Sequence, residues 1–143
     1  MHSLSVSYNR EGGSDLHTLV TGGALKSIVV DNSGIDPEER GGTAKHLLGS
    51  AVLYCYCAAL DKALATRGVE YAAIDGTATL ETGTDELKRA RVMKITLDVT
   101  VTMDEDMEDI FERVAKIMRN GCLVSASLEG GIEIVYNLQM KAA

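Results

Sequence analysis

The sequence predicts a single α+β domain over residues 1–143, with elements in the order βββ-α-ββ-αα-β. Three observations carry this reading. Up to Asp31 the chain alternates in short segments broken by glycine; from Ala44 to Arg67 it has no proline and only one glycine, Gly49; and beyond that, two β-rich stretches precede two helical ones and a closing alternating segment. With 143 residues, 45% of them apolar and 24% charged, the chain is long enough to bury a sizeable core.

The elements follow in order. Leu4, Val6 and Tyr8 alternate with serines, Asn9 to Gly13 reads as a turn, and Leu16 to Val20 and Leu25 to Val30 flank Gly22-Gly23 as a tight hairpin. Asn32 to Gly42 is a polar loop holding the only proline, Pro37, after which Gly41-Gly42-Thr43 can cap a helix. That helix runs from about Ala44 to Arg67, with Gly68 placed to stop it. Its middle, Ala51 to Leu60, is apolar on every side, so protein must surround it, and a second subunit is one way to supply that cover. Val69 to Thr82 and Arg89 to Val101 predict a long hairpin; from Ile95 onward apolar and polar residues alternate, giving one dry and one wet face. The acidic run DEDMED, from Asp104, suits the start of a second helix, which ends at Asn120-Gly121. Cys122 to Leu128 add one or two helical turns, and Ile132 to Leu138 form the last strand.

Charge and hydropathy exclude several functions. Fourteen Lys and Arg against twenty-one Asp and Glu leave a net charge of −7, so there is no average basic surface to neutralise nucleic-acid phosphates. The longest apolar run, Ala51 to Leu60, is about half of the roughly 20 residues that span a bilayer. No basic-then-apolar leader opens the chain, and the expectation is a soluble cytoplasmic protein with no membrane partner. The three cysteines, Cys55, Cys57 and Cys122, are too few and wrongly spaced for a disulfide framework or a zinc site, which leaves redox or nucleophilic chemistry beside simple burial. Cys55 and Cys57 lie about 200° apart around a helix and cannot bridge each other there. His2, His17 and His46 are scattered, and no metal site is expected. DEDMED lacks the glycine turn of a calcium loop, Gly12-Gly13 and Gly22-Gly23 lack the lysine of a phosphate loop, and Tyr54 and Tyr56 are better read as packing than as hydrogen-bond donors to a ligand.

Leu47-Leu48-Gly49-Ser50-Ala51-Val52-Leu53-Tyr54-Cys55-Tyr56-Cys57-Ala58-Ala59-Leu60 resembles the central-helix motif of the OsmC/Ohr family, named for osmotically inducible protein C and organic hydroperoxide resistance protein. In that motif a cysteine follows the first leucine by eight positions and precedes another leucine by five; Cys55 meets both spacings and Cys57 neither. Cys122-Leu123-Val124-Ser125 resembles the second motif, usually Cys-Pro-Val-Ser, and the element order agrees over nearly the whole chain.

The resemblance implies an intertwined homodimer with buried long central helices, antiparallel sheets outside, and two sites at the subunit interface. It also implies thiol-dependent reduction of organic hydroperoxides, with Cys55 attacking and Cys122 resolving as a disulfide, no bound cofactor, and an external dithiol or lipoyl-type reductant. The family's thiolate-activating arginine is best matched by Arg10, with Arg40 competing. Its glutamate, two residues before the first leucine, is replaced by Lys45, which could itself stabilise a thiolate. That replacement keeps open a noncatalytic dimer that binds a small apolar ligand or senses oxidation; sulfur transfer through the same nucleophile ranks last.

Overall fold

A computed structural model describes residues 1–143. The chain divides into two compact units, Met1–Thr43 and Ala44–Ala143.

The first unit is a three-stranded antiparallel meander of β1 (Ser7–Asn9), β2 (Leu16–Val20) and β3 (Ser27–Asp31). Only the end of the Leu4–Tyr8 alternation is strand, with Tyr8 opposite Leu19. The hairpin between β2 and β3 is wider than two residues. Thr21 donates to the Lys26 carbonyl at 2.8 Å, Lys26 donates back to Gly22 at 3.1 Å, and Gly22 and Gly23 take the positive φ values of 115° and 58° that this loop requires. Leu25 therefore belongs to the loop rather than to β3. Pro37–Glu39 forms a single 3-10 turn.

α1 (Thr43–Thr66), which belongs to the second unit in all but its first residue, is followed by the hairpin β4 (Ala73–Thr84) and β5 (Ala90–Met103). A 3-10 turn over Glu105–Met107, opened by the Asp104 carboxylate accepting from the Asp106 amide at 3.0 Å, leads into α2 (Glu108–Met118). Then come α3 (Leu123–Leu128) and β6 (Glu133–Ala142). The sheet order is β4-β5-β6. Antiparallel pairing holds for the meander and for β4 with β5, but β6 runs parallel to β5, with Leu97 opposite Tyr136. The reason is topological: α2 and α3 carry the chain back along the sheet, and such a crossover is what parallel neighbours need.

The dry face of β5 is Ile95, Leu97, Val99, Val101 and Met103, each at most 1% exposed. On the opposite face, Asn137 donates to Asp98 and Gln139 to Thr100, both at 3.0 Å, so β5 and β6 share polar rungs as well as backbone bonds. The inner face joins Phe111, Val114 and Met118 of α2 and a stripe of α1, Val52, Tyr56, Leu60 and Leu64, in one core. Two glycines let α1 and the sheet approach: a Cβ on Gly49 would lie 2.9 Å from Leu80, and one on Gly76 would lie 3.0 Å from Leu53.

Within its own chain α1 is not buried all round. Its buried residues recur every three or four positions, while Ala51, Tyr54 and Ala58 on another face are exposed, Tyr54 to 77%. Pro37–Thr66 contains an 18-residue stretch of mean hydropathy 1.3, long and apolar enough to cross a membrane by length and composition. Its stripe is nevertheless seated in the core of an α+β unit, as a core helix would be.

Leu97 is fully buried at the centre of this packing. Leu97→Ala is expected to cost about 2–5 kcal/mol, read as a lowered denaturant midpoint with an unchanged m-value.

Candidate active site: two facing thiols

Two elements bring the thiols together. Cys55 sits midway along α1, one turn on from Val52 and next to Tyr56, so the buried stripe that fixes the helix rotation also fixes the direction of this side chain. Cys122 is the residue before the first turn of α3, where the backbone is extended at φ −130° and ψ 175°. Its thiol is buried, Cys55 is half-buried, and both are free.

The start of α3 is closed by a reciprocal pair. The Cys122 amide donates to Ser125 Oγ at 2.8 Å, and the Ser125 amide donates to Cys122 Sγ at 3.5 Å. Cys122 Sγ also lies 3.4 Å from Ser125 Oγ as a donor. Ser125 is fully buried and meets Tyr136 Oη of β6 at 2.8 Å, and Tyr136 Oη reaches Glu129 Oε1 at 2.7 Å. Gly121 makes room for these contacts. It adopts φ 74°, and a Cβ there would overlap the hydroxyls of Tyr136 and Ser125.

The surroundings move the two thiols apart in acidity. Burial pushes Cys55 up from the ordinary value of 9.0; the amides of Val124 and Leu123 pull it down, and interaction with the Cys122 thiol pushes it up again. Burial also acts against ionised Cys122. There, hydrogen bonds from the Ser125 side chain and amide, then Cys55 and the Val124 amide, more than offset it and leave the group below 9.0. In this chain, negative charge shared by the pair therefore rests on Cys122. Burial likewise pushes up Cys57, which is half-buried on another face of α1.

The basic candidates have these contacts of their own. Arg10 is exposed and donates from Nε to the Ser14 carbonyl at 2.9 Å, tying its own turn. Arg40 donates to the Ile35 carbonyl at 2.7 Å and lies 3.9 Å from the Asp15 carboxylate. Lys45 is exposed in the first turn of α1, and ten residues of helix, about 15 Å, separate it from Cys55 along the axis. Within one chain Lys45 does not meet the thiol. No group of three or more His, Cys, Asp or Glu side chains converges as a metal site would require.

Several residues of the site were not singled out from the sequence. Ser125 lay inside the Cys-Leu-Val-Ser stretch without a role. Tyr136 had a signal, since it shares the alternation of Ile134 and Leu138 in β6, whereas Glu129 and Gly121 had none beyond the break between helix and strand. Tyr56 is 1% exposed and stacks on Tyr136, with ring centroids 5.5 Å apart, and its hydroxyl has no partner; burial pushes it up to about 12. Packing is thus its main part, and Tyr54 is on the exposed face.

The family model for OsmC, described as OsmC-like protein, matches residues 36–137. No curated protein matches the sequence. Among solved structures, an OsmC-like protein from Mycoplasma pneumoniae aligns with TM-score 0.69 at 13% identity, covering 99% of this chain and 98% of that one. An organic hydroperoxide resistance protein from Elizabethkingia anophelis aligns with TM-score 0.65 at 15% identity, covering 99% and 98%. An OsmC-like protein of unknown function from Vibrio cholerae gives TM-score 0.67 at 16% identity, covering 96% and 98%. At these identities the likeness is one of fold.

Three predictions follow from the site. Alkylation of Cys122 by iodoacetamide should rise with pH through a midpoint below 9.0, and that of Cys55 through one above it, followed by peptide mass. Ser125→Ala should move the Cys122 midpoint upward, because it removes a hydrogen bond that favours the thiolate. Gly121→Ala should lower stability by at least about 1 kcal/mol in a denaturant titration, since a side chain is disfavoured at this φ even before the overlap is counted.

Proposed function

The chain belongs to the OsmC-like protein family, and within it we propose that this member reduces organic hydroperoxides with Cys55 and Cys122 as its redox pair. The observation that carries the reading is the juxtaposition of the two free thiols, one from the middle of α1 and one at the start of α3, close enough for each to shift the ionisation of the other.

In the proposed cycle the Cys55 thiolate attacks the terminal oxygen of a hydroperoxide. The O–O bond breaks, the alkoxide leaves and is protonated to an alcohol, and Cys55 becomes a sulfenic acid. Cys122 then attacks the Cys55 sulfur, the S–S bond forms, the S–O bond breaks, and water leaves. An external dithiol or lipoyl-type carrier returns two electrons and restores both thiols. No bound cofactor is needed for these steps. The more exposed of the two thiols, Cys55, is the one a peroxide reaches first, and the aliphatic and aromatic residues around it suit an organic substrate.

The uncovered apolar face of α1, Ala51, Tyr54 and Ala58, supports a homodimer in which these helices are covered by the second subunit. Such an assembly, in the cytoplasm, is also the setting in which Arg10, Arg40 or Lys45 would be recruited to the thiolate.

A second reading has its own support. Burial keeps Cys55 protonated more than an ordinary thiol, and Lys45 stands where the family's glutamate is expected. Both favour a dimer that binds a small apolar ligand or records oxidation without turnover.

Stoichiometric cumene hydroperoxide added to reduced protein, with peptide mass analysis and a dithiol-coupled turnover assay, separates the two. The proposed activity requires a Cys55–Cys122 disulfide and sustained turnover. Cys55→Ser should abolish peroxide consumption, whereas Cys122→Ser should allow one attack and then accumulate sulfinic acid on Cys55. A disulfide without turnover would establish the sensing reading, and equal consumption by wild type and Cys55→Ser would sink the assignment.

A further inference from the structure

For a disulfide to close, Cys122 must lose its proton while buried, and the groups around it leave one route. From α1 it meets Cys55, with Tyr56 and Cys57 near enough to feel its charge; Tyr136 does so from β6; and from its own short helix come Ser125 and, just beyond, Glu129. Burial pushes Cys55 and Cys57 up, and Tyr56 and Tyr136 up to about 12, so none of these takes a proton from a thiol near neutrality. Glu129 is exposed and offers a carboxylate, an acceptor open to solvent.

The hydrogen bonds between Cys122 and Glu129 are continuous and have one consistent direction. A carboxylate only accepts, so the single Tyr136 hydroxyl proton belongs to the 2.7 Å bond to Glu129. The Tyr136 and Ser125 hydroxyls lie 2.8 Å apart, a contact across which either can donate, and Ser125 Oγ accepts the Cys122 S–H across 3.4 Å. The Ser125 proton has the Cys122 carbonyl at 3.2 Å as a second acceptor; once it turns from there to Tyr136, every link is a donor facing an acceptor. The glycine at 121 keeps the backbone clear of both hydroxyls in the middle of the chain.

We propose that Ser125, Tyr136 and Glu129 form a proton relay that carries the Cys122 thiol proton to solvent as the Cys55–Cys122 bond closes. The Cys122 proton passes to Ser125 Oγ, the Ser125 proton to Tyr136 Oη, and the Tyr136 proton to the Glu129 carboxylate, which releases it to bulk water. The sulfur keeps its electron pair and forms the S–S bond. In peroxide turnover, the hydroxide expelled from the Cys55 sulfenic acid is neutralised by the proton that the relay releases to bulk, so that the net product is water. The relay thus deepens the peroxidase reading and rests on it for its physiological oxidant, but closure itself can be watched without peroxide. Ser125, Tyr136 and Glu129 are positioning residues for this step.

The test uses a Cys57→Ser background, so that two thiols remain. One equivalent of 5,5′-dithiobis(2-nitrobenzoate) loads thionitrobenzoate on half-buried Cys55, and release of the second coloured thiolate reports attack by Cys122. Glu129→Gln still accepts the Tyr136 hydrogen bond but is no longer a base, so a merely structural role would survive it. The expected result is closure slowed about 100-fold at pH 7. Beyond the rise that Cys122 ionisation gives both proteins, the shortfall of the Gln variant should shrink as pH rises, because bulk hydroxide replaces the missing base. Tyr136→Phe, which cuts the chain midway, should give the same profile. Equal rates and equal pH profiles with Glu129 and with Gln overturn the relay, whatever the protein does with cumene hydroperoxide. Slowed closure in a protein that consumes no hydroperoxide upholds the relay and removes the peroxidase reading alone.

Discussion

The rotation of α1 is the constraint on which the site depends. Val52, Tyr56, Leu60 and Leu64 form the stripe that this helix buries, in one core with the inner face of β5 and with α2. A helix turned by even one residue would swing its side chains by about 100°. Close approach at Gly49 and Gly76, where added methyl groups would press on Leu80 and Leu53, limits how far α1 can move. Cys55 therefore points towards α3 because hydrophobic burial elsewhere on the helix leaves it nowhere else to point.

The second thiol is placed by different physics. Cys122 stands where a short helix begins, with exposed amides looking for acceptors, and a sulfur can serve as one. The reciprocal contacts with Ser125 are a capping arrangement and at the same time the main support for negative charge on that sulfur. Cys55 shares the neighbouring amides but has no hydroxyl of its own, and burial prevails there. Two cysteines within reach of one another are thus made chemically unequal by a single serine.

Periodicity revealed most of the fold. The alternation from Ile95 onward correctly marked the dry face of β5, and the glycine-bounded run from Ala44 to Arg67 located α1 to within a residue or so. The pairing direction of β6 was not legible, because strand patterns record which face is apolar and not which neighbour lies alongside. Nor was the half-burial of α1, since a run without charge looks the same whether its cover comes from its own chain or another. At the site, the two cysteine motifs were readable from spacing. The contacts of Ser125 with Tyr136 and Glu129 were not: they need the crossover that lays β6 beside β5, with Tyr136 opposite Leu97, and no local pattern encodes that register.

The parallel pairing of β6 also orders the protein's own making. Tyr136 follows both thiols in the chain, and its ring reaches Tyr56 and its hydroxyl reaches Ser125 only once β6 has docked. On a ribosome, α1, the β4–β5 hairpin and both cysteines emerge before the residue that completes their surroundings. The nascent chain therefore carries both thiols before the residue that completes their hydrogen-bond network has been made.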